Sequence, residues 1–406
     1  MHVRRLTCCA TAFALALGAG ALITTSGAAA AQKTPTVKII LLAETKGESA
    51  AAVPYYADGA AMAAAELGSK VDLTRIPAPL VPAQTQTALL QAIDQKPDAI
   101  IGFPASSQVI AVQPTIKSSG IPTLAMSSGE QTVLNGPNGA SNLFLVRPID
   151  TLISKAQADY VVNDLKAKKI GLVCVDNTTG TNGCTAAKKV IGASKNSKVT
   201  VERSNGIAAT DLTEIATAMK GTDAVLDYNF PNPFGVLANQ LVNNDINVPH
   251  VGGAISGIEV NSGAVRGQAA ANTKGVDDCV PTLDKRSVVK KWVAKYKSTY
   301  GYDPIYSSAQ AYDMVKFLQA AAAKAGSVAP AKLMKAMSSL SYDGICASYK
   351  LDSLHVLQHT ADVVKWNSNN VESIAKPLTF APGALPFTVA EPTTTVPAAS
   401  TTAAPK

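Results

Sequence analysis

Short apolar runs alternate with amphipathic stretches along the chain from Thr36 onward. The runs at residues 37–44 and 99–103 are typical of strands whose two faces are both covered. The stretch at residues 56–67 carries Ala, Met and Leu at helical spacing. This strand–helix rhythm predicts an α/β fold built on parallel sheets.

This alternation of strands and helices occurs twice, so it predicts two lobes with the same arrangement of elements. The chain length of 406 residues agrees with two lobes that each bury a core. The predicted strands of the first series are 37–44, 71–75, 99–103, 122–126 and 143–147, and those of the second are 170–175, 198–202 and 224–228. Helices alternate with them, one of which is expected to start near Cys184; two long helices at 287–300 and 307–325 and strands near 347–351 and 361–366 follow.

The first residues have the features of a secretory signal peptide. Arg4 and Arg5 precede an uncharged apolar run at residues 8–23, and small residues ending in Ala31 follow it. We expect residues 1–31 to be removed and the mature protein to be extracytoplasmic and soluble. At the other end, the Pro, Thr and Ala composition of residues 382–406 predicts a disordered tail.

Four cysteines remain after the signal peptide: Cys174, Cys184, Cys279 and Cys346. An even count in an exported protein favours two disulfides, with three connectivities possible. We pair the neighbours Cys174 and Cys184, and therefore Cys279 with Cys346. A zinc site is the alternative, but the spacings lack a CxxC pair and the histidines do not cluster, so no metal is predicted.

The distribution of charge argues against nucleic acid as a partner and indicates no other class of partner. The net charge is +7, of which Arg4 and Arg5 contribute two, and charged residues make up 16% of the chain. A nucleic-acid binder concentrates Lys and Arg in a stripe, whereas here they are scattered at helical spacing. We expect no nucleic-acid partner.

Ligands of open parallel sheets bind beyond the carboxyl ends of the strands, and this rule selects particular loops. In the first series Ala105, Ser106 and Ser107 follow one strand, and Ser127 and Ser128 follow the next. Helix N-termini and hydroxyl groups there suit a carboxylate or another small polar group. Serine is also a common N-cap residue, so capping is the competing interpretation.

In the second series the same rule selects Thr179, Asp227 and Tyr228. Asp227 could pair with a ligand ammonium group, although a turn residue is the competing interpretation. Tyr228 offers an aromatic wall and Thr179 a hydroxyl group. Catalytic motifs such as GxSxG, the Walker loop and HExxH are not found, so we predict no enzymatic activity and no cofactor.

The order of several segments resembles the type I periplasmic solute-binding proteins of ABC importers, in the branched-chain amino acid family. The similarity spans about residues 37–374. The segments that carry it are the YxxGxxxAxxE-like helix at 56–66, PDAIIGFPASS at 97–107, SGIPTLAMSS at 119–128, LFLVRPID at 143–150, KKIGLVCVDNTTG at 168–180 and GYDPIYSSAQAYDMVKFLQAAAAKAG at 301–326.

The resemblance implies two Rossmann-like lobes joined by three crossovers, near residues 147–150, 250–256 and 340–344. Lobe 1 then comprises residues 36–147 and 257–340, and lobe 2 comprises 148–256 and 341–380. The ligand would lie between the lobes.

The resemblance also assigns roles to loops. The loops at Ser106 and at Ser127 to Gly129 would bind the carboxylate and ammonium of an amino acid, and an acidic residue near Asp227 would take the ammonium. Three positions depart from the family: Ala52 and Thr179 stand where aromatic residues are common, and Gly129 stands where a threonine is usual. A larger or differently charged solute is therefore plausible.

The implied function is an extracytoplasmic receptor that binds a small polar solute, an amino acid or a related compound, by hinge closure. It would deliver this solute to an ABC permease and act as a monomer. The alternatives are a ligand sensor that signals to a membrane partner and an extracytoplasmic amide hydrolase.

Overall fold

The computed structural model describes residues 34–43, 54–79, 82–126, 129, 141–370 and 372–385. The predicted signal peptide, Ala52, Ser127 and Ser128 lie outside these residues, as does the tail from residue 386 onward.

The first sheet has five strands in the order β2-β1-β3-β4-β5, all parallel. It confirms the predicted parallel sheet. Both faces are buried, because Ile39 and Leu41 pack on one side while Ile40 and Leu42 pack on the other. Its elements are β1 Val37–Ala43, α1 Tyr55–Leu67, β2 Val71–Pro77, α2 Pro82–Asp94, β3 Ala99–Gly102, α3 Ser106–Ser119, β4 Thr123–Ala125 and β5 Leu143–Leu145.

The second sheet has seven strands in the order β14-β13-β10-β9-β8-β6-β7. The strands β10, β9, β8, β6 and β7 pair in parallel, whereas β13 pairs antiparallel with both β10 and β14, so the predicted parallel sheet is here a mixed one. Its elements are α4 Asp150–Asp159, β6 Lys169–Val175, α5 Thr178–Ala193, β7 Lys198–Asn205, α6 Thr213–Ala218, β8 Ala224–Tyr228, α7 Pro231–Asn243, β9 His250–Gly252, α8 Ile255–Asn261, α9 Gly267–Asn272, β10 Thr273–Asp277, β13 Thr360–Trp366 and β14 Glu372–Thr379.

Between β10 and β13 the chain returns to the first sheet. The long helix α11 is buried along most of its length and packs against α1. The two helices approach closely at Gly59, where a Cβ atom would lie 2.0 Å from the Ser308 carbonyl oxygen. The elements of this part are α10 Ser287–Tyr300, α11 Tyr306–Ala325, α12 Pro330–Ser338, β11 Ser341–Asp343 and β12 Ser348–Lys350.

The strand pairing corrects two of the three predicted crossovers. The first, near residues 147–150, agrees with the passage from β5 to α4. The second was predicted near 250–256, but these residues form β9 and the start of α8, and β10 still pairs with β9. The passage therefore follows β10, and residues 257–277 belong with the second sheet, although the sequence placed them in lobe 1.

The third crossover also lies later than predicted. Residues 341–350 form the β11–β12 hairpin, whose Tyr349 packs in the core beside the first sheet. Val356 then bridges Leu145 of β5 before the chain enters β13. The passage is thus at residues 357–359, and residues 341–356, predicted for lobe 2, lie with the first sheet.

The start of α5 is a further difference. The helix was expected near Cys184, but it begins at Thr178 because Asn177 caps it, its side chain accepting a hydrogen bond from the Gly180 N–H at 3.0 Å. Cys184 therefore lies inside the helix. Both predicted disulfides, Cys174–Cys184 and Cys279–Cys346, are present.

Candidate ligand-binding cleft

The carboxyl ends of strands from both sheets border a cleft of about 500 Å³. We call the side next to the first sheet the first wall; it comprises Tyr55, Tyr56, Pro104, Ala105, Ser106, Ile305, Tyr306 and Ser307. The second wall comprises Ile153, Ser154, Gln157, Thr179, Ile207, Ala208, Asp227, Tyr228, Asn229, Phe230, Pro231, Asn232, Pro233, Gly253, Ala254, Ile255 and Ile258. Arg147 and Asp150 line the cleft where the chain passes between the sheets.

In the first wall the turn from β3 into α3 brings two predicted residues to the cleft. Phe103 is buried and adopts a left-handed conformation with φ of 61°, which redirects the chain toward the helix. The Ala105 N–H donates to the Gln108 side chain at 3.1 Å. Ala105 and Ser106 line the cleft, so the N-terminus of α3 faces it, whereas Ser107 is exposed and does not line it.

Aromatic rings complete the first wall. Tyr55 and Tyr56 come from the start of α1 and Tyr306 from the start of α11. Tyr55 is held edge-on against Tyr302, with ring centroids 5.2 Å apart, and the Tyr302 hydroxyl donates to the Asp58 carboxylate. The rule on strand ends does not select these rings, because they begin helices and do not follow strands.

In the second wall the carboxylate of Asp227 is already bonded within the protein. The side chain is buried; Oδ2 lies 2.8 Å from Nε2 of His250, and Oδ1 accepts from the Asn229 N–H at 3.0 Å. Each carboxylate oxygen therefore has a partner. This geometry does not support the prediction that Asp227 pairs with a ligand ammonium, and instead favours a role in holding the wall.

Tyr228 and Thr179 both line the cleft. The Tyr228 hydroxyl donates to the Ser154 carbonyl oxygen at 3.2 Å, and burial raises its pKa, so the phenol stays neutral. Its ring lies against α5 at Gly183, where a Cβ atom would come within 2.6 Å of the ring. Thr179 is partly exposed in the first turn of α5, between Cys174 and Cys184, whose disulfide ties β6 to this helix.

Arg147 lies in the connection from β5 to α4 and contacts Asp278, which lies in the connection after β10. Its Nε donates to Asp278 Oδ2 at 2.6 Å, one terminal nitrogen donates to Asp278 Oδ1 at 3.1 Å, and the other donates to Asp150. Burial alone would lower the pKa of Arg147, but the two carboxylates hold it well above its ordinary value. Burial raises the pKa of Asp150, Arg147 opposes this, and the charge of Asp278 adds to it.

The Arg147–Asp150 pair explains the glycine at position 129, where the family resemblance leads one to expect threonine. A Cβ atom on Gly129 would lie 2.4 Å from Asp150 Oδ1 and 2.9 Å from a terminal nitrogen of Arg147. The Gly129 carbonyl oxygen also accepts from the Asp150 N–H at 2.6 Å. The ion pair therefore occupies the space that a side chain at 129 would need.

Most other surfaces of the second wall are apolar, with Ile207, Phe230, Ile255 and Ile258 among them. Arg147 is the only basic side chain among the described lining residues, and both of its partners are acidic. In the described part of the chain, no group of three or more His, Cys, Asp or Glu side chains could hold a metal ion.

Several solved structures share this fold. The leucine binding protein LivK from Thermotoga maritima MSB8 is 20% identical, with a TM-score of 0.74 over 85% of this chain and 99% of that one. The branched-chain amino acid transporter substrate binding protein LivJ from Streptococcus pneumoniae, in complex with isoleucine, is 22% identical, with a TM-score of 0.74 over 84% and 100%. A solute binding protein of an ABC transporter from R. palustris, in complex with benzoate, is 18% identical, with a TM-score of 0.76 over 85% and 97%.

No curated protein matches the chain. None of the helices in the described residues is long and apolar enough to span a membrane. The sequence profile described as periplasmic binding protein matches residues 36–370, most of the chain. Together with the related structures, this match confirms the predicted α/β fold class. It also confirms that the protein is a binding protein and not an enzyme, and that it is extracytoplasmic. The chain belongs to the periplasmic binding protein family.

Proposed function

We propose that this protein is the solute receptor of an ABC importer and that its solute is a small carboxylate with an apolar body, an amino acid or an aromatic acid. The observation that carries the proposal is the cleft between the carboxyl ends of the two sheets, with a helix N-terminus on one wall and an apolar surface on the other. The receptor would present the bound solute to a membrane permease.

The first wall supports the carboxylate. The N-terminus of α3 at Ser106 faces the cleft, and the partial positive charge of a helix N-terminus favours an anion. Arg147 is a poorer candidate, because Asp278 and Asp150 already engage its guanidinium group. The tyrosine rings beside α3 would shield the carboxylate from water.

The second wall supports the apolar body. Ile207, Phe230, Ile255 and Ile258 provide a surface on which an aliphatic or aromatic group loses its contact with water. The related structures agree with this chemistry, since isoleucine and benzoate each combine a carboxylate with an apolar part.

Hinge closure would couple binding to transport. The two walls belong to different sheets, so a solute contacts both only when they approach each other. A ligand that binds the closed state more tightly shifts the population toward that state. The permease would then recognise the closed receptor.

Titration calorimetry with L-leucine, L-isoleucine, L-phenylalanine and benzoate tests the ligand class. At least one of these should bind, and at about a hundredfold excess over its dissociation constant it should stabilise the fold by about 2.7 kcal/mol. Phe230→Ala should weaken binding by about tenfold or more, because it removes an apolar surface of the second wall. The control Phe380→Ala, outside the cleft, should bind normally. Failure of all four solutes to bind would contradict the ligand class.

The importer role has its own test. Crosslinking of the liganded receptor in native membranes, followed by mass spectrometry, should identify a permease subunit as the neighbour. Identification of a membrane kinase in its place would overturn the importer and support the alternative of a sensor.

A further inference from the structure

One face of α4 forms a continuous stripe along the cleft. Asp150, Ile153, Ser154 and Gln157 all line it, at the spacing i, i+3, i+4 and i+7 that places residues on one side of a helix. Seven residues of α-helix span about 10 Å. The stripe therefore presents a charged group at one end, an apolar side chain in the middle and an amide at the other end.

The side-chain amide oxygen of Gln157 has no hydrogen-bond partner. The residue is only 2% exposed, and Oε1 is buried without a hydrogen bond. Its neighbours in the second wall differ, since Asp227 is bonded to His250, Tyr228 to Ser154 and Asn229 to Asn205. A buried polar group without a hydrogen-bond partner destabilises the protein. Because Gln157 lines the cleft, its position indicates that a ligand supplies the missing hydrogen bond.

Uncharged residues lie near the Gln157 amide in the lining of the cleft. Its nitrogen lies 3.5 Å from the place of a Cβ atom on Gly253, and Ala254 and Ile258 line the cleft near this position in the chain. Tyr228 is neutral, as its raised pKa requires. A charged ligand group would lose its hydration here without gaining an opposite charge, so a neutral group is favoured.

We propose that Gln157 is a specificity-determining residue that binds an uncharged hydroxyl group at the distal end of the ligand's apolar body. The inference rests on the proposed function and narrows its ligand class to hydroxylated aromatic carboxylates. A primary amide can donate through its nitrogen and accept through its oxygen, which matches a hydroxyl group that does both. A purely aliphatic solute would leave the amide unpaired.

Two pairs of probes that differ by one hydroxyl group test the inference: L-phenylalanine with L-tyrosine, and benzoate with 4-hydroxybenzoate. In calorimetry on the full chain, the hydroxylated member of at least one pair should bind about tenfold more tightly. In Gln157→Met this preference should fall below about twofold, through weaker binding of the hydroxylated member. The control Gln268→Met, an exposed glutamine on α9, should keep the full preference.

The outcomes separate the inference from the function on which it rests. If the parent chain binds both members of a pair equally, or if Gln157→Met retains the preference, the inference is wrong while the receptor function stands. Equal binding of the two members of a pair to the parent chain overturns the inference even if Gln157→Met does not fold. If no probe of either pair binds the parent chain, the inference fails, and binding of L-leucine or L-isoleucine then decides whether the proposed ligand class stands.

Discussion

The two walls of the cleft use similar residues in different ways. In the first wall, the N-terminus of α3 and the rings of Tyr55 and Tyr56 are presented to the cleft. In the second wall, Asp227 and Tyr228 lie at the cleft, but their polar atoms are bonded to the protein itself. The position after a strand thus identifies a wall residue, whereas its hydrogen-bond partners decide whether it is available to a ligand.

The largest expected effect lies where the two walls meet. Asp278→Ala should lower the free energy of unfolding by about 3 to 5 kcal/mol, because it removes the bidentate partner of the buried Arg147 guanidinium. Urea denaturation measures this change. The matched control is Glu202→Ala, which breaks an ion pair with Lys188 in which both side chains are almost half exposed, and it should cost less than about 1 kcal/mol. Equal losses in the two variants would contradict the importance given to the buried pair.

A smaller effect separates the two roles considered for Asp227. Asp227→Asn should cost about 2 kcal/mol of stability, since the bond to the buried His250 loses its charge. The affinity for L-phenylalanine should change by less than about threefold, because both carboxylate oxygens are already bonded within the protein. A loss of about thirtyfold or more in affinity would restore the predicted ammonium contact and remove the contrast between the walls. Asp303→Asn, in an exposed pair with Lys297, should alter neither quantity.

The strands that could be predicted are those whose apolar pattern lies within a few neighbouring residues. The strand β8 was predicted with its observed bounds because five consecutive buried residues form it. The strands β9, β10, β11 and β14 were missed, and the second crossover was placed too early because β9 and β10 were not recognised. Residues in β14 are mostly exposed because it is an edge strand, so it lacks the apolar run typical of the central strands.

Several residues that line the cleft were predictable from the sequence, but their hydrogen bonds were not. Ala105, Ser106 and Thr179 reach the cleft because the rule on strand ends holds in both sheets. The engagement of Asp227 by His250 joins residues 23 positions apart and is invisible in the sequence of either. Gln157 was missed because it lies two turns into a helix, although its spacing from Asp150 was a readable signal.

The smallest expected effect concerns the support of the second wall. Glu259 lies on α8, whose Ile255 and Ile258 line the cleft, and burial raises its pKa to about 7 from an ordinary value of 4.5. The folded state therefore binds more protons than the unfolded chain between these values, and stability falls as the pH rises through this window. Glu259→Gln should remove this fall, which amounts to about 1 kcal/mol between pH 5 and 8 once solvent screening is allowed for; urea denaturation at each pH measures it. The exposed Glu214→Gln should follow the parent protein. If Glu259→Gln also follows it, Glu259 ionises freely, and the polar groups behind the second wall are less isolated from water than those bonded at Asp227.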